Sequence, residues 1–456
     1  MRRTALVLSL VFAGFAWMAC GRAAAQSYTN LYNFTALVAS TNPDGAFPVA
    51  GLILSGTTLY GTASLGGNSS NGTVFKLNTN GTGFTTLHHF TGGSDGAAPV
   101  AGLVLGGNTL YGTASSGGIS DNGTVFGVSA DGTGFTNLHS FTGSDGTRPA
   151  ADLILSGSAL YGTTSFGGNL GNGTVFKVNT NSTGFTNLHK FTGANGAYPQ
   201  ARLVVSGNTL FGTTERGGAS DQGTVFKINT DGTGFASLHS FNGSLAGDGD
   251  GSRPTAGLVL SGNTLYGAAQ EGGQWNFGTL FKLNTDGTGF TNLHVFTGAV
   301  FTPSGDGGWP TAGLILSGTT LYGTARLGGG HGYGLIFKVN TDGTGFAPLY
   351  SFTGPPTGGS DPFAGLVFSG SALYGMTKYG GSLNDGTVFR LSLPPPLLTF
   401  LPSGGNFVVM WPADAAGFSL QSAPAITGTF TNVPGATSPY TNPVTGPQKY
   451  FRLIAN

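Results

Sequence analysis

Charged side chains are scarce in this sequence, and in the loops suited to holding a ligand they occur mainly in the later repeats. Only 8% of the residues are charged. In loops where earlier segments place Ser64, Ser115 or Phe166, and in nearby insertions, we find these candidate binding residues: Glu215, Arg216, Glu271, Trp275, Trp309, Arg326, His331 and Lys378. Aromatic planes beside charged groups suit a carbohydrate or a peptide, because rings stack on the ligand while charges orient it. A set of solvated surface charges is the competing interpretation.

Glu215 and Glu271 also fit a second chemistry, the acid/base pair of a polysaccharide hydrolase or lyase. That chemistry is defined by the separation of two carboxylates, which a sequence does not give. An enzyme usually gathers acids, bases or metal ligands at one place, and no such focused set is visible. We therefore assign no catalytic residue, cofactor or metal, and expect a non-enzymatic protein.

A tandem repeat of about fifty residues positions these side chains. In every copy an aromatic-Gly pair follows the first proline by 12 residues, and the Phe of a Gly-Thr-Val-Phe-like element follows 15 residues later. The seven copies begin at Pro48, Pro99, Pro149, Pro199, Pro254, Pro310 and Pro362. A fixed period of this length indicates a repeat architecture.

Each copy contains four short apolar runs separated by turn residues. In the first copy they are residues 50–54, 58–62, 73–77 and 84–91, and Gly and Asn fill the turns between them. Four strands per repeat are typical of a propeller blade. With 83 glycines and many Thr, Val, Leu, Phe and Tyr residues, the composition also favours short strands. The sequence predicts an all-β, seven-bladed β-propeller.

The two ends of the repeat region complement each other. The seventh copy has no fourth strand, because Pro394, Pro395 and Pro396 end the pattern. Residues 30–35 match residues 137–142, which form a fourth strand in the second copy. We expect residues 28–35 to complete the last blade, which would close the ring and remove an open sheet edge.

Blade geometry predicts which loops share a face. The loops that connect strands two and three lie on the same face as the loops that lead into the next repeat. Only the loops into the next repeat vary in length, with 8 to 14 residues from the fourth-strand Phe to the following proline. Loops on a rigid scaffold carry function, so this face is the candidate binding face.

In the inner strand, the glycine found at Gly51 is replaced by Asp152 and Arg202 in adjacent copies. We expect an ion pair near the axial channel, with a structural bridge favoured over a site.

Five histidines recur on the fourth strand, and Tyr32 and Tyr350 take the equivalent positions. They are His88, His139, His189, His239 and His294. Ligands spread evenly around a ring cannot meet at one metal ion, so we interpret them as architectural.

The repeat resembles the choice-of-anchor tandem repeat family called GloVer. The resemblance covers about residues 28 to 393 and is carried by the aromatic-Gly-Thr, Gly-Gly, Gly-Thr-Val-Phe-Lys and Asn-Thr-Asp-Gly-Thr-Gly-Phe elements, recurring in order. It implies exported bacterial propeller-like proteins, largely without assigned biochemistry. The Gly-Gly and the downstream aromatic are also Kelch-like, although Phe84 and Phe135 stand where a Kelch repeat carries Trp.

The regions outside the repeats predict export and a second module. Arg2, Arg3, an apolar run over residues 5–19 and three alanines before Gln26 are typical of a signal peptide. A membrane anchor, or a lipoprotein attached through Cys20, is the alternative. We assign residues 1–25 to the signal peptide, 26–394 to the propeller and 395–456 to a small β-sandwich-like module. We therefore expect the protein to be secreted, periplasmic or at the cell surface.

Charge and hydropathy limit the partners. The formal net charge is zero and no basic run follows the first three residues, so nucleic acid is excluded as a partner. No later segment is long and apolar enough to span a membrane. We expect a monomer with a recognition or cell-envelope role, binding carbohydrate or protein through the variable face. A polysaccharide-acting hydrolase or lyase and a purely structural surface protein are the alternatives.

Overall fold

The structure of the protein is a computed structural model, and the residues that it describes form strands and turns. The structure describes residues 8–9, 26–243, 249–298, 305–394, 398–403, 406–411, 418–425, 427–443 and 449–455. These residues contain no helix, and hence none that could cross a membrane. The predicted leader, with Cys20, lies outside them except for Leu8–Ser9.

Seven four-stranded antiparallel sheets follow one another along the described chain, one for each repeat. Their strands, from inner to outer, are Ile53–Ser55, Thr58–Ala63, Thr73–Asn78 and Thr85–His89; Val104–Gly106, Thr109–Ala114, Thr124–Ser129 and Thr136–Ser140; Ile154–Ser156, Ala159–Thr164, Thr174–Asn179 and Thr186–Lys190; Val204–Ser206, Thr209–Thr214, Thr224–Asn229 and Ala236–Ser240; Val259–Ser261, Thr264–Ala269, Thr279–Asn284 and Thr291–Val295; Ile315–Ser317, Thr320–Ala325, Leu335–Asn340 and Ala347–Ser351; and Val367–Ser369, Ala372–Thr377, Thr387–Ser392 and Ser27–Asn33. Repeated sheets of this kind make the fold propeller-like.

The seventh sheet takes its outer strand from the other end of the chain. Ser27–Asn33 pairs antiparallel with Thr387–Ser392, with Tyr28 opposite Leu391. The N–H of Phe34 extends this contact by donating to the carbonyl of Gly386 at 3.1 Å. The sheet is therefore assembled from segments more than three hundred residues apart in sequence.

The aromatic-Gly pair is fixed by packing inside each sheet. A Cβ on Gly61 would lie 2.7 Å from Cζ of Phe75 and 2.9 Å from Cδ2 of Leu52, and equivalent contacts recur in all seven repeats. Both neighbours are buried. Only glycine leaves room for them, because interiors are already close-packed. The inner ladder is shorter than the predicted run of residues 50–54: it begins at Ile53, and the residues before it line a cavity.

Adjacent sheets are joined by buried apolar clusters and by aromatic stacking. Tyr111, Val125 and Phe141 of the second repeat pack with Leu153 and Phe176 of the third. On the outer strands, each histidine or tyrosine stacks on an aromatic ring of the following repeat. The stacked pairs are Tyr32–Phe84, His88–Phe135, His139–Phe185, His189–Phe235, His239–Phe290, His294–Phe346 and Tyr350–Tyr28, with ring centroids 3.6 to 4.1 Å apart.

Shorter strands complete the described structure. Asn42–Ala46 pairs with Leu65–Gly67, and Gly359–Ser360 pairs with Tyr379–Gly380. After the repeats, two further sheets enclose a small apolar cluster around Val409. Their strands are Thr399–Ser403, Asn406–Met410 and Tyr440–Pro443 in one sheet, and Leu8–Ser9, Tyr450–Ala455, Phe418–Ala423 and Thr431–Asn432 in the other.

Candidate functional site

The variable face is organised by the residue that precedes each repeat's proline. In all seven repeats this residue has φ between 51° and 58°, a left-handed conformation that non-glycine residues rarely adopt. The seven pre-proline residues are Phe47, Ala98, Arg148, Tyr198, Arg253, Trp309 and Asp361. Each N–H donates to a carbonyl in the preceding repeat's loop at 2.8 to 3.1 Å, and each carbonyl accepts from a loop N–H of its own repeat. These two bonds hold the conformation.

The backbone bonds bring the two kinds of loop together as the sequence predicted. Ala97 bridges to Ser116, and Ser252 bridges to Glu271, so the incoming connection lies against the loop between strands two and three. Since the pre-proline residue varies among the repeats, with only arginine occurring twice, the surface changes around the face while the backbone does not. We call the loops between strands two and three, together with the connections that lead into each repeat, the variable face.

Exposed apolar side chains in the described repeat region all lie on the variable face. They are Val38, Leu65, Ile119, Phe166, Leu170, Trp275, Tyr333 and Leu383. Ile119 is 86% exposed and Trp275 is 54% exposed. Single exposed apolar residues are ordinary on a protein surface, but their restriction to one face is not expected from random placement.

Two predicted site residues share one guanidinium. Arg253 Nη1 lies 2.9 Å from Glu271 Oε1, and Arg253 Nε lies 3.9 Å from Glu215 Oε1. The Gln200 amide also donates to Glu215 Oε2. Both carboxylates therefore have polar partners among neighbouring side chains, and together they orient Arg253.

Arg326 is held by a carboxylate of the next repeat. Its Nε donates to Asp361 Oδ1 at 2.5 Å and its Nη2 donates to Asp361 Oδ2 at 3.0 Å. The guanidinium also lies over the ring of Phe363, 4.8 Å from the centroid. Two parallel bonds and a stacked ring fix the plane of an arginine, so this side chain is a rigid part of the face. The Arg326 N–H donates to the carbonyl of Trp309, which is partly buried.

Aromatic and cationic groups pair at two more places on the face. Arg148 lies over the ring of Phe166 at 5.4 Å, and Phe166 contacts Tyr198 with ring centroids 4.9 Å apart. In the seventh repeat, Lys378 lies 4.9 Å from the centroid of Tyr379. That tyrosine in turn contacts Phe47 of the first repeat, at 5.4 Å.

Other predicted site residues lie apart from these groups. Trp275 and His331 are exposed at loop tips of different repeats. Arg216 approaches Asp221 of its own loop at 3.7 Å. The structure thus brings Glu215 and Glu271 together but leaves Trp275, His331 and Arg216 separate.

Sequence reasoning missed the residues through which the predicted ones act. Arg253, Asp361, Arg148 and Tyr198 were not among the candidates, although all four precede a repeat proline. The sequence contained a signal for them: the position before the repeat proline varies among the copies, whereas the proline itself is present in every copy.

Asp152 and Arg202 both line a cavity on the repeat axis, of about 210 Å³. Asp152 Oδ1 accepts a hydrogen bond from the N–H of Gly102 at 2.6 Å. Arg202 is exposed to the cavity. Among the described residues, the two side chains do not approach within the 4.0 Å of an ion pair, so the expected bridge is not formed here.

The recurring histidines have partners of their own. His139 Nε2 lies 2.9 Å from Asp145 Oδ2, and the same contact joins His88 to Asp95, His239 to Asp250 and His294 to Asp306. Burial lowers the pKa of His139, against the opposing effect of Asp145. Within the described ranges, no three His, Cys, Asp or Glu side chains gather as metal ligands would.

Several solved structures are similar in shape. A GH74 enzyme from Niastella koreensis has a TM-score of 0.50 and 15% identity, and the match covers 82% of this chain but only 58% of the enzyme. An oligogalacturonate lyase from Vibrio parahaemolyticus has a TM-score of 0.48 and 10% identity over 86% of this chain and 98% of the lyase. TolB from Acinetobacter baumannii has a TM-score of 0.38 and 13% identity, covering 63% of this chain and 66% of TolB. At these identities the first match supports the fold alone.

The sequence itself matches a family of repeats. No curated protein matches the chain. The model described as the Gloeobacter/Verrucomicrobia repeat matches residues 22–120, 91–249 and 244–403, which include every copy found in the sequence. The chain belongs to the Gloeobacter/Verrucomicrobia repeat family.

Proposed function

We propose that this chain is a closed, seven-bladed propeller that recognises another macromolecule through its variable face, without catalysing a reaction. The observation that carries this proposal is the placement of every exposed large apolar side chain of the described repeats on that one face. A surface used only as a scaffold has no need to gather its exposed apolar side chains on one face, whereas a binding face does.

Contacts between the first and last repeats support the closed ring. The glycine of each Gly-Thr-Val-Phe element lies against the proline of the next repeat, and Gly386 of the seventh lies in the same way against Pro48 of the first. Leu52 and Leu59 share a core cluster with Tyr374. Residues from all seven repeats line the axial cavity. A rigid ring of this kind would hold the loops at fixed positions.

The side chains on the face favour a protein as the partner. Ile119, Leu170 and Leu383 are aliphatic, and aliphatic groups offer a sugar no aromatic plane on which to stack. Around them, Arg253 and Arg326 are held in place by carboxylates. Apolar anchors among oriented arginines are common at protein interfaces, where Arg and aromatic residues supply much of the binding energy.

The hydrolase alternative rests on Glu215 and Glu271, and their contacts support an orienting role instead. Both carboxylates lie within 3.9 Å of Arg253, and Glu215 is also bonded by Gln200. A general acid must deliver a proton to the substrate and a base must reach a water, so carboxylates occupied in this way are poorly placed for either task. Activity on polysaccharide that is lost in the E215Q and E271Q variants would establish the alternative.

The binding test uses the full chain and a matched pair of multiple variants. Ile119→Ser, Leu170→Ser and Leu383→Ser together remove apolar anchors from the variable face. Asn108→Ser and Asn208→Ser alter exposed residues in the turns between strands one and two, on the opposite face. Each lost anchor at an interface centre costs about 1–2 kcal/mol, so we expect binding at least tenfold weaker for the first variant and unchanged for the second.

Extracellular proteins and a glycan array are presented to the immobilised chain in parallel, and affinities are then measured with the purified partner. Equal binding by both variants would refute the role of the face. Retention of glycans alone would show that the partner class is wrong.

Export and a separate carboxyl-terminal module complete the proposal. We propose that residues 1–25 are removed during secretion and that residues 395–456 form a module of their own, consistent with the apolar cluster around Val409. Mass spectrometry of the secreted protein should show an amino terminus at Gln26, and an amino terminus at Met1 or a lipid-modified Cys20 would contradict it.

A further inference from the structure

One residue from the segment that precedes or begins each inner strand lies around the axis of the repeat region, and we call these seven residues the waist. These residues are Gly51, Gly102, Asp152, Arg202, Gly257, Gly313 and Gly365. A Cβ on Gly257 would lie 3.4 Å from Cβ of Arg202, and one on Gly102 would lie 3.1 Å from Cγ of Asp152. The inner segments therefore approach closely, and only Asp152 and Arg202 project side chains from this ring.

The two charges at the waist are held apart. Asp152 reaches back to the N–H of Gly102 in the second repeat, at 2.6 Å. Arg202 lies in the fourth repeat, and within the described residues no carboxylate lies within ion-pair distance of its guanidinium. Arg202 is exposed and lines the cavity, so its guanidinium is available to a ligand there.

A third polar group in the cavity wall also has no partner. Thr311 is 7% exposed, and its Oγ1 has no hydrogen-bond partner in the structure. Buried hydroxyl groups nearly always have one, because desolvation without a hydrogen bond costs free energy. Thr311 lines the same cavity as Arg202 and Asp152. The Thr311 Oγ1 atom is itself closed to solvent, so it lies behind the cavity wall, and the unpaired Arg202 is the polar group that the wall offers to the space.

Most of the other side chains in the wall are apolar. Ala50, Leu103, Ala201 and Leu258 contribute to it, with Gln200 as a further amide. A volume of about 210 Å³ exceeds the room that one water needs and falls below that of a typical drug-sized pocket, roughly 300 Å³. It suits a ligand of roughly ten non-hydrogen atoms.

We propose that the axial cavity binds a small carboxylate that also carries a hydrogen-bond donor, such as a hydroxy acid, a sugar acid or an amino acid. The Arg202 guanidinium takes the carboxylate through two N–H groups, which matches the geometry of both partners. The second oxygen of Asp152 accepts from the ligand's hydroxyl or ammonium group. This site is distinct from the macromolecular surface proposed for the variable face.

The glycines of the waist have a role in this arrangement. A Cβ added to Gly51 would meet no atom closer than 3.9 Å, and one added to Gly365 none closer than 3.7 Å, so an alanine at either position would make ordinary van der Waals contacts with the neighbouring segment. Five glycines therefore leave the centre of the ring to two charged side chains and whatever they bind.

The test measures binding of D-glucuronate, L-lactate and L-alanine to the full chain by calorimetry, with D-glucose as the uncharged comparison. Arg202→Met removes the guanidinium. Lys227→Met is the matched control, because it removes a positive charge from the third strand of the same repeat. We expect at least one carboxylate to bind, with affinity at least tenfold lower in R202M and unchanged in K227M.

The second variant separates the two types of donor. Asp152→Asn should weaken an ammonium-bearing ligand more than a hydroxyl-bearing one, because only the ammonium is positively charged. Circular dichroism of each variant checks that it has folded. The proposal is overturned if none of the three carboxylates binds, if glucose binds as well as they do, or if R202M binds like the unchanged chain.

Discussion

Replacing Gly375 by alanine tests whether the aromatic-Gly pair recurs in the seven copies for packing reasons. A Cβ there would lie 2.6 Å from Cζ of Phe389 and 3.0 Å from Cδ2 of Leu366, both buried. Overpacking of this kind costs about 1–3 kcal/mol. The same substitution also restricts the unfolded chain, which stabilises by about 0.4–1 kcal/mol. We expect a net loss of about 1–2 kcal/mol in the free energy of unfolding.

Gly365→Ala is the control, earlier in the same repeat. Its added Cβ would meet nothing closer than 3.7 Å, so only the effect on the unfolded chain remains and stability should stay level or rise slightly. Urea unfolding followed by circular dichroism gives both values. If G375A proves as stable as G365A, the packing explanation for this glycine is wrong.

Three further predictions concern other parts of the molecule. Tyr28→Ala removes an aromatic stack from the seventh sheet, so we expect about 2–3 kcal/mol lower stability in urea, whereas exposed Thr29→Ala should change little. Because burial lowers the pKa of His139 in the folded state below the value of about 6.5 in the unfolded chain, the free energy of unfolding should fall as the pH drops below about 6.5. His139→Phe should reduce that slope in urea titrations from about pH 7.5 to 5, and an unchanged slope would contradict it. Arg326→Met should cost about 1 kcal/mol in urea, against less than about 0.5 kcal/mol for Arg216→Met, since only the former loses a two-bond contact.

The variable face and the axial cavity give the molecule two kinds of surface. The face is rigid at Arg253 and Arg326, where carboxylates fix the guanidinium groups, and exposed and apolar at Ile119 and Leu170. The cavity is small and contains a guanidinium that no described carboxylate pairs with. A large partner fits the first and a small carboxylate fits the second, so the two binding experiments can succeed or fail independently.

Much of the repeat fold could be predicted because its local signals agree with one another. Turn glycines, apolar runs and a fixed period together indicated four-stranded units, and the structure contains them. The resemblance to the GloVer repeat was confirmed by the family match. The inner strand was the weakest prediction: its apolar run begins at Ala50, but the ladder begins at Ile53. An apolar run marks burial, and Ala50 and Leu52 are buried although they lie outside the hydrogen-bonded ladder.

The candidate site was less predictable, because it depends on contacts between repeats. Glu215 and Glu271 were predicted as binding residues, with an acid/base pair on adjacent blades as the alternative, but Arg253, which joins them, was not considered. Arg326 was expected as a loop charge, and its partner Asp361 lies 35 residues further on. Each partner stands in a different loop, and the sequence does not say how far apart those loops lie.

The sequence alone determined the number of repeats, the strand order within each and the residues that differ among them, because strands and turns are set by neighbouring residues. Only the tertiary structure decided which of those differing residues meet. It placed Arg253 between two carboxylates and turned Asp152 toward Gly102, away from Arg202. The physical reason is that such pairings depend on distances of a few ångströms between separate sheets, and these are fixed by packing across the sheet interfaces.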